Sequence, residues 1–376
     1  MNIAIFGYGV IGKGIVSVLD TYNPYNIKIE KIFDRIENKD KIGSKFTNNY
    51  LEVMEDKKID TIMECMGGNL FPYEIIKSAL IHKKNVVTSN KEVVSLHLKE
   101  FLKLAKENNV KFLFEASCGG GVPIINSLIE NRKVNPINSV IGILNGTTNF
   151  ILSRIEEGME FSEALKLAQA KGFAEADPTA DLEGLDMVRK ISIITDIIFD
   201  TFIDINKVKH FGIRNVNLDM FKLLNEFGLT IKFASILEKD NNELHISVNP
   251  VIVQKNSLLG STKDEFNMIL FNGLTNGKLG FYGKGAGALP TASAMVSDLI
   301  KIIEDSYNLD LELNENIEIK DNNKKYKYFI SLNDNYKIDN ELIEYRSGNN
   351  IITKLISNEE FLKISKHISF YGLCLD

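Results

Sequence analysis

The sequence predicts an α/β chain with a doubly wound parallel sheet at its N-terminus, an α+β part after it, and a short tail. Three observations predict this. A glycine-rich turn at 7–12 joins an apolar run to an apolar helix pattern. Short apolar runs then alternate with helical patterns as far as residue 115, which is the order of a parallel sheet with helical crossovers. Beyond 137 longer alternating stretches take over, and from 307 the composition shifts to Asn, Asp, Lys and Glu.

Composition sets the bounds. The 376 residues suffice for two or three domains, and 44% apolar with 25% charged is the balance of a globular protein. A net charge of -6 argues against a nucleic-acid or anionic-membrane surface. No apolar run reaches spanning length, because Asp196 interrupts even the Ile-rich 191–199 segment. The N-terminus opens on a strand pattern, so no signal peptide is expected and the expected location is the cytoplasm. Cys65, Cys118 and Cys374 do not make a disulfide framework.

The first strand is expected at 2–6, followed by Gly7-Tyr8-Gly9-Val10-Ile11-Gly12. This is GxGxxG between a strand and a helix, a Rossmann-type arrangement in which the glycines let the backbone approach a pyrophosphate at the helix N-terminus. A glycine-rich turn without a ligand is the alternative. The second strand, 27–33, ends at Asp34-Arg35. An acid there bonds ribose hydroxyls and favours NAD, whereas an arginine meets a 2′-phosphate, so NAD and NADP both stay open.

Strands at 60–64, 85–88 and 110–115 are expected, with helices at 73–83 and 92–107. The loops after these strands, 66–68, 89–91 and 115–121, should face ligand, which makes Met66, Ser89 and Lys91 candidates. Lys91 sits where a helix N-terminus disfavours a cation, and that misplacement beside a cofactor loop is the reason to suspect it. The turn from Glu115 through Cys118, Gly120 and Val122 leaves carbonyls free to surround a hard cation, with a flexible turn and no ion as the alternative. Cys118 also opens a second enzyme class, in which its thiol attacks an aldehyde.

A strand at 137–145 ends in Asn145-Gly146-Thr147-Thr148-Asn149, whose amides and hydroxyls suit a carboxylate. The next helix is expected to be capped by Ser162 and to stop before Gly172. The segment 172–190 then gathers Glu175, Asp177, Asp181, Glu183 and Asp186 ahead of an apolar helix. Asp186 and Lys190, four apart, share a helix face, either as a solvated pair or as a proton-exchanging lysine beside carboxylates in a cleft. Sheet stretches follow at 245–253 and 278–282, then a glycine cluster at 283–287 with Gly285, then a small-residue helix at 292–303. In the tail, 326–332 alternates like a strand and 359–367 like a short helix.

These separated motifs, GYGVIG, SNK at 89–91, EASCGGGVPII, NGTTNF, KGFAEADPTADLEGLDMVRK and YGKGAGALPTASAMVSDL, resemble homoserine dehydrogenase over residues 1–305. The resemblance implies reversible NAD(P)H-dependent reduction of L-aspartate 4-semialdehyde to L-homoserine, in threonine and methionine biosynthesis. It implies Lys190 as proton donor with Lys91 as partner, and Glu175 and Asp186 as holders of the substrate ammonium. Gly146 and Thr147 would meet the substrate carboxylate. Gly7, Gly9, Val10, Ile11, Gly12, Asp34, Arg35, Met66, Ser89, Lys91, Gly172 and Gly285 would contact the cofactor. The carbonyls of Glu115, Cys118, Gly120 and Val122 would hold a structural sodium ion. Phe173 departs from the tyrosine common in the family.

The implied organisation is a dinucleotide domain at 1–125, to which a helix at 290–306 returns, a catalytic and dimerisation domain at 126–289, and a tail at 307–376. The tail resembles a short, incomplete regulatory module of the ACT type, expected to lack amino-acid feedback. A homodimer is the expected assembly. The competing readings are a thiol-dependent semialdehyde dehydrogenase using Cys118 and a non-catalytic nucleotide-binding regulatory module.

Overall fold

The computed structural model describes the chain except residues 242, 308, 310, 312, 314–316, 323, 334, 335 and 376. Two compact units emerge: 1–134 with 192–205 and 283–316, and 135–191 with 206–282 and 317–376.

The first unit holds a six-stranded parallel sheet, β1 (Asn2–Phe6), β2 (Lys28–Phe33), β3 (Phe46–Thr47), β4 (Thr61–Glu64), β5 (Asn85–Thr88) and β6 (Phe112–Leu113), in the order 3-2-1-4-5-6. This is the doubly wound order with its switch point between β1 and β4. The strands β1 and β4 are almost wholly buried, as strands covered on both faces must be. The helices α1 (Val10–Thr21), α2 (Lys39–Ile42), α3 (Tyr50–Glu55), α4 (Leu70–Ile81), α5 (Lys91–Asn108) and α6 (Ile124–Asn131) follow in order. The expected strand at 110–115 shrinks to β6, because the chain turns into a 3-10 segment at Glu115–Ser117.

Further on come α7 (Gly146–Glu156), α8 (Phe161–Ala170), α9 (Thr179–Leu182), α10 (Leu185–Phe199), α11 (Leu218–Glu226), α12 (Ala288–Ile303) and α13 (Asn358–Ser365). In the first unit α1 and α12 pack so closely that a Cβ on Gly14 would lie 2.7 Å from the Ala288 carbonyl oxygen. Among the described residues no helix is long and apolar enough to cross a membrane.

The second sheet contains β7 (Ile137–Ile143), β8 (Lys209–His210), β9 (Leu229–Asp240), β10 (Glu243–Gln254), β11 (Phe266–Gly273), β12 (Gly277–Lys284), β13 (Glu318–Ile319), β14 (Lys327–Leu332), β15 (Ile343–Ser347), β16 (Asn350–Thr353) and β17 (Ile368–Cys374). Its path runs 12-11-7-9-10-17-14-16-15, with β8 and β13 also pairing with β10. The antiparallel pair β9–β10 is in register over all twelve residues of each strand, Glu243 opposite Asp240 through Gln254 opposite Leu229. The tail strands β14–β17 join this sheet through a short parallel pairing, Val251 opposite Leu373 and Ile252 opposite Cys374.

Two local expectations are corrected. The strand expected at 137–145 stops at Ile143, and the NGTTNF stretch that follows starts α7, with Asn145 as its cap. Ser162 does not cap α8, because the N-cap is Glu160 and Ser162 lies one residue inside the helix.

Candidate active site

In the first unit the residues of the glycine motif meet the demands of a phosphate. Gly7 has φ +101°, and a Cβ on Gly12 would lie 2.0 Å from the Gly7 carbonyl oxygen. A Cβ on Gly9 would meet nothing within 4 Å, so the backbone there is open to a ligand. The first turn of α1 has no side-chain cap and no acidic residue. Its amide N–H groups, those of Val10, Ile11 and Gly12, lie where a helix has no acceptors of its own.

Asp34, at the end of β2, ties this turn down. It accepts from the amide of Tyr8, from the amide of Arg35 at 2.6 Å and from Asn38 Nδ2 at 3.0 Å. Burial pushes its carboxyl up, but these hydrogen bonds outweigh it and leave the pKa below the ordinary value. The Arg35 side chain is exposed.

Sequence reasoning missed Glu64. Fully buried at the end of β4, it accepts from the Met66 amide at 2.7 Å and the Thr88 hydroxyl at 2.5 Å. The Thr88 hydroxyl accepts from the Asn90 amide at 3.0 Å, and Asn90 in turn caps α5 and donates to the Gly68 carbonyl at 2.8 Å. One carboxyl therefore organises both ligand-facing loops, those carrying Met66 and those carrying Ser89 and Lys91. Burial raises its pKa to about 7, against the hydrogen bonds from Thr88, Met66 and Asn90. The only sequence signal was an acid at the end of a strand whose interior, Thr61–Met63, carries no charge.

The 115–122 turn is built on positive φ at Gly119 and Gly120, +74° and +56°. A Cβ on Gly120 would lie 2.5 Å from the carbonyl of Gly285, which places the two glycine clusters against each other. The Glu115 carboxylate accepts from the amides of Ile125 and Asn126, while Asp298 on α12 accepts from the Glu115 amide at 2.9 Å. Cys118 is fully buried, with the Ser117 hydroxyl 3.8 Å from its sulfur. A thiol with no exposed surface cannot attack a substrate, so the Cys118 nucleophile reading is set aside.

The second unit holds the other constellation. Asp186 and Lys190 sit in the first turns of α10, 4% and 7% exposed, with Oδ2 and Nζ 2.7 Å apart. The Lys190 ammonium also donates to the Leu144 carbonyl at 2.7 Å. Asn145 completes the group: its Oδ1 accepts from the Thr148 amide, and its Nδ2 donates to Asp186 Oδ2 at 2.9 Å and Asp181 Oδ1 at 2.7 Å. The solvated-pair alternative fails on this burial. Nine-tenths desolvation makes the pair a costly arrangement unless it serves a purpose.

Gly146 and Thr147 lie in the first turn of α7, where amides again lack helical acceptors. The Thr147 hydroxyl donates to the Phe173 carbonyl at 2.6 Å, so what this turn offers is backbone N–H. The Phe173 ring packs on Phe150 at 5.0 Å. Glu175 is exposed, its carbonyl accepting from Gln169, and Gly172 is exposed with φ +75° at the end of α8. The structure thus brings Lys190, Asp186, Asn145 and the start of α7 together, and leaves Glu175 outside that hydrogen-bonded group. Lys91 belongs to the first unit and Lys190 to the second.

Residues 7–115 match the family model described as homoserine dehydrogenase, NAD binding domain, and residues 123–300 match the one described as homoserine dehydrogenase. The homoserine dehydrogenase of Bacillus subtilis is 34% identical over 316 residues, covering 81% of this chain and 73% of the relative. That of Methanocaldococcus jannaschii is 36% identical, covering 80% of this chain and 98% of the relative. Among solved structures, a homoserine dehydrogenase from Thiobacillus denitrificans superposes with a TM-score of 0.89 at 25% identity, covering 100% of this chain and 98% of that one. One from S. aureus gives 0.79 at 32% identity, with the same coverage.

Proposed function

The chain belongs to the homoserine dehydrogenase family, and on that premise we propose that Lys190 moves the proton in its reaction. The activity is the NAD(P)-dependent interconversion of L-homoserine and L-aspartate 4-semialdehyde. The buried Lys190–Asp186 pair of α10, bonded to Leu144 and Asn145 just ahead of α7, is the observation that carries the assignment.

When bound, the nicotinamide cofactor supplies the hydride or accepts it. The protein's task is to bind the amino-acid substrate and manage one proton. In reduction, charge develops on the aldehyde oxygen, and a positioned ammonium neutralises it by giving up a proton. Lys190 is held for this by the Leu144 carbonyl and Asp186. In oxidation the neutral amine takes the proton back. Lys91 is proposed as its partner on the cofactor side.

Asp186, with Glu175, supplies the negative charge for the substrate ammonium. The amides of Gly146 and Thr147 meet its carboxylate, as helix N-termini do. Gly7, Gly9, Val10, Ile11 and Gly12 cradle the pyrophosphate, with Met66, Ser89, Gly172 and Gly285 as further contacts. Both Asp34 oxygens are already engaged within the protein and Arg35 is exposed, which supports a 2′-phosphate and hence NADP as the preferred cofactor.

A sodium ion at the carbonyls of Glu115, Cys118, Gly120 and Val122 belongs to the proposal. Two of these, on Glu115 and Val122, also accept a backbone N–H, and each keeps a second lone pair for a cation. A homodimer in the cytoplasm is the proposed state. The proposed domain boundaries are those drawn from the sequence. We also propose that the tail is an ACT-like remnant. Its strands run 17-14-16-15, and a 3-10 turn at Asn340–Leu342 stands where a first helix would be.

The test is a spectrophotometric assay of homoserine oxidation at alkaline pH with NAD and NADP separately. Turnover favouring NADP is expected. Folded protein that binds nucleotide but turns over neither would overturn the assignment.

A further inference from the structure

A cavity of about 250 Å³ lies in the second unit between β9 and β10 on one side and β14, α13 and β17 on the other. Its wall from the tail is aromatic. The Tyr328 and Phe361 rings stack at 4.3 Å with 13° between planes, and Phe361 meets Tyr371 edge-on at 5.0 Å. The opposite wall is Ile236, Ser247 and Asn249.

Most polar groups here already have partners. Tyr371 Oη donates to Asn249 Oδ1 at 3.2 Å, and Asn249 Nδ2 donates to Ser247 Oγ at 2.8 Å. The charges at the rim are paired, Lys209 with Asp321 at 2.6 Å and Glu238 with Lys324 at 2.8 Å. The exception is Tyr328, 5% exposed, whose hydroxyl has no hydrogen-bond partner among the described residues. The oxygen itself is not sealed off, so water reaches it, and an unused donor on an aromatic-walled space is free to bond a ligand that displaces that water. The rim charges pair with one another, so what the cavity itself offers is ring surface and a hydroxyl, which suit a neutral ligand. An apolar cavity of 150 Å³ suffices for benzene, so this one admits a substituted ring.

The cavity is wired to the start of α10. Phe211 packs on Tyr371 with centroids 4.4 Å apart, and its amide donates to the Val248 carbonyl. The neighbouring His210 Nδ1 is 2.8 Å from the Glu183 carbonyl oxygen, and the Ile213 amide donates to the Leu182 carbonyl. Gly184 seats against Phe233 and Val248, where a Cβ would come within 2.8 and 2.9 Å. Adjacent strand residues point to opposite faces, so Asn249 lines the cavity while Val248 supports the turn ahead of Asp186.

We propose that this cavity binds a small uncharged aromatic molecule with one oxygen acceptor, stacked on the ring wall and hydrogen-bonded by Tyr328, and that its occupancy acts on the turn that starts α10. The second arm rests on the role given to Lys190; the first does not.

The probe is 4-fluoroacetophenone, titrated into the full chain and followed by ¹⁹F NMR. Saturable one-site binding is expected. Tyr328→Phe, which removes only the hydroxyl, should bind about fivefold more weakly, with basal turnover unchanged. Ser247→Leu, which fills the cavity, should abolish binding. Bound probe should shift the homoserine KM by at least about twofold, on the order of 0.4 kcal/mol of coupling. No saturable binding, or equal binding by both variants, would overturn the site, and competition by L-threonine at matching concentration would overturn the uncharged class. Binding with an unmoved KM would overturn the coupling. Absent turnover in the unmodified protein would instead count against the Lys190 assignment and leave the binding result standing.

Discussion

Lys190 Nζ rests 2.7 Å from Asp186 Oδ2 one helical turn away, with both side chains more than nine-tenths buried. Removing either partner strands the other. Asp186→Ala should cost roughly 3–5 kcal/mol, read as a lower urea midpoint, whereas an exposed pair would cost almost nothing. Lys190→Ala should lower kcat by roughly a hundredfold to ten-thousandfold while nucleotide affinity stays near normal. Normal kcat with lost nucleotide binding would sink the role given to Lys190.

Gly120 has no room for a methyl group. A Cβ there would sit 2.5 Å from the Gly285 carbonyl at φ +56°. Gly120→Ala should therefore destabilise by about 2 kcal/mol or more, and the same change at Gly9, where a Cβ meets nothing within 4 Å, should be mild in stability but weaken nucleotide binding. Equal urea midpoints for the Gly120 variant and the parent would show the two glycine clusters are not in contact.

Glu64 titrates in the folded state at about 7, raised by burial from an ordinary 4.5. Between those values the folded chain holds more proton than the unfolded one. Its stabilising contribution is full below pH 4.5 and is lost as pH rises through 7. Lys232, lowered by burial to about 7 from 10.5, acts with the opposite sign: its contribution is full above pH 10.5 and is lost as pH falls through 7. Glu64→Gln should flatten the fall in urea midpoint between pH 5 and 7 and leave the alkaline limb alone. A constant gap between variant and parent across that window would contradict the buried-acid assignment.

Cofactor choice turns on two adjacent residues. Arg35→Ala should raise the KM for NADP by about tenfold, the value of one charge-assisted phosphate contact, with little change for NAD. A matching rise for both cofactors would mean that Arg35 supports the loop and does not read the phosphate.

Cys118 is fully buried. Cys118→Ala should therefore keep kcat within about twofold and lose only packing energy, about 1 kcal/mol. Abolished turnover in a folded variant would revive the thiol mechanism.

The nucleotide half was legible because its signals are local: a strand, a glycine turn and a helix within twenty residues. The Asp186–Lys190 spacing was legible too, but burial was not, since a solvated pair has the same spacing. The helix at Gly146 was hidden by its composition. Gly, Thr, Thr and Asn are poor helix formers, and this helix stands on the Asn145 cap and on buried Phe150, Ile151 and Leu152. Glu64 was invisible as an organiser because one partner, Met66, follows its own strand and the other, Thr88, ends the neighbouring strand β5, 24 residues away. The β10–β17 pairing had no local signal at all, because it joins residues far apart in the chain.

That pairing sets a timetable for synthesis. The middle of the second sheet is β7–β9–β10–β17, drawn from Ile137–Ile143 at one extreme and Ile368–Cys374 at the other. As the chain leaves the ribosome, β10 is made more than a hundred residues before the strand that closes its edge at Val251 and Ile252. Until then an apolar strand edge stands open to any neighbour. Stalling or proteolysis that clips the last strand would thus recreate in the finished molecule the sticky state that every nascent copy must pass through.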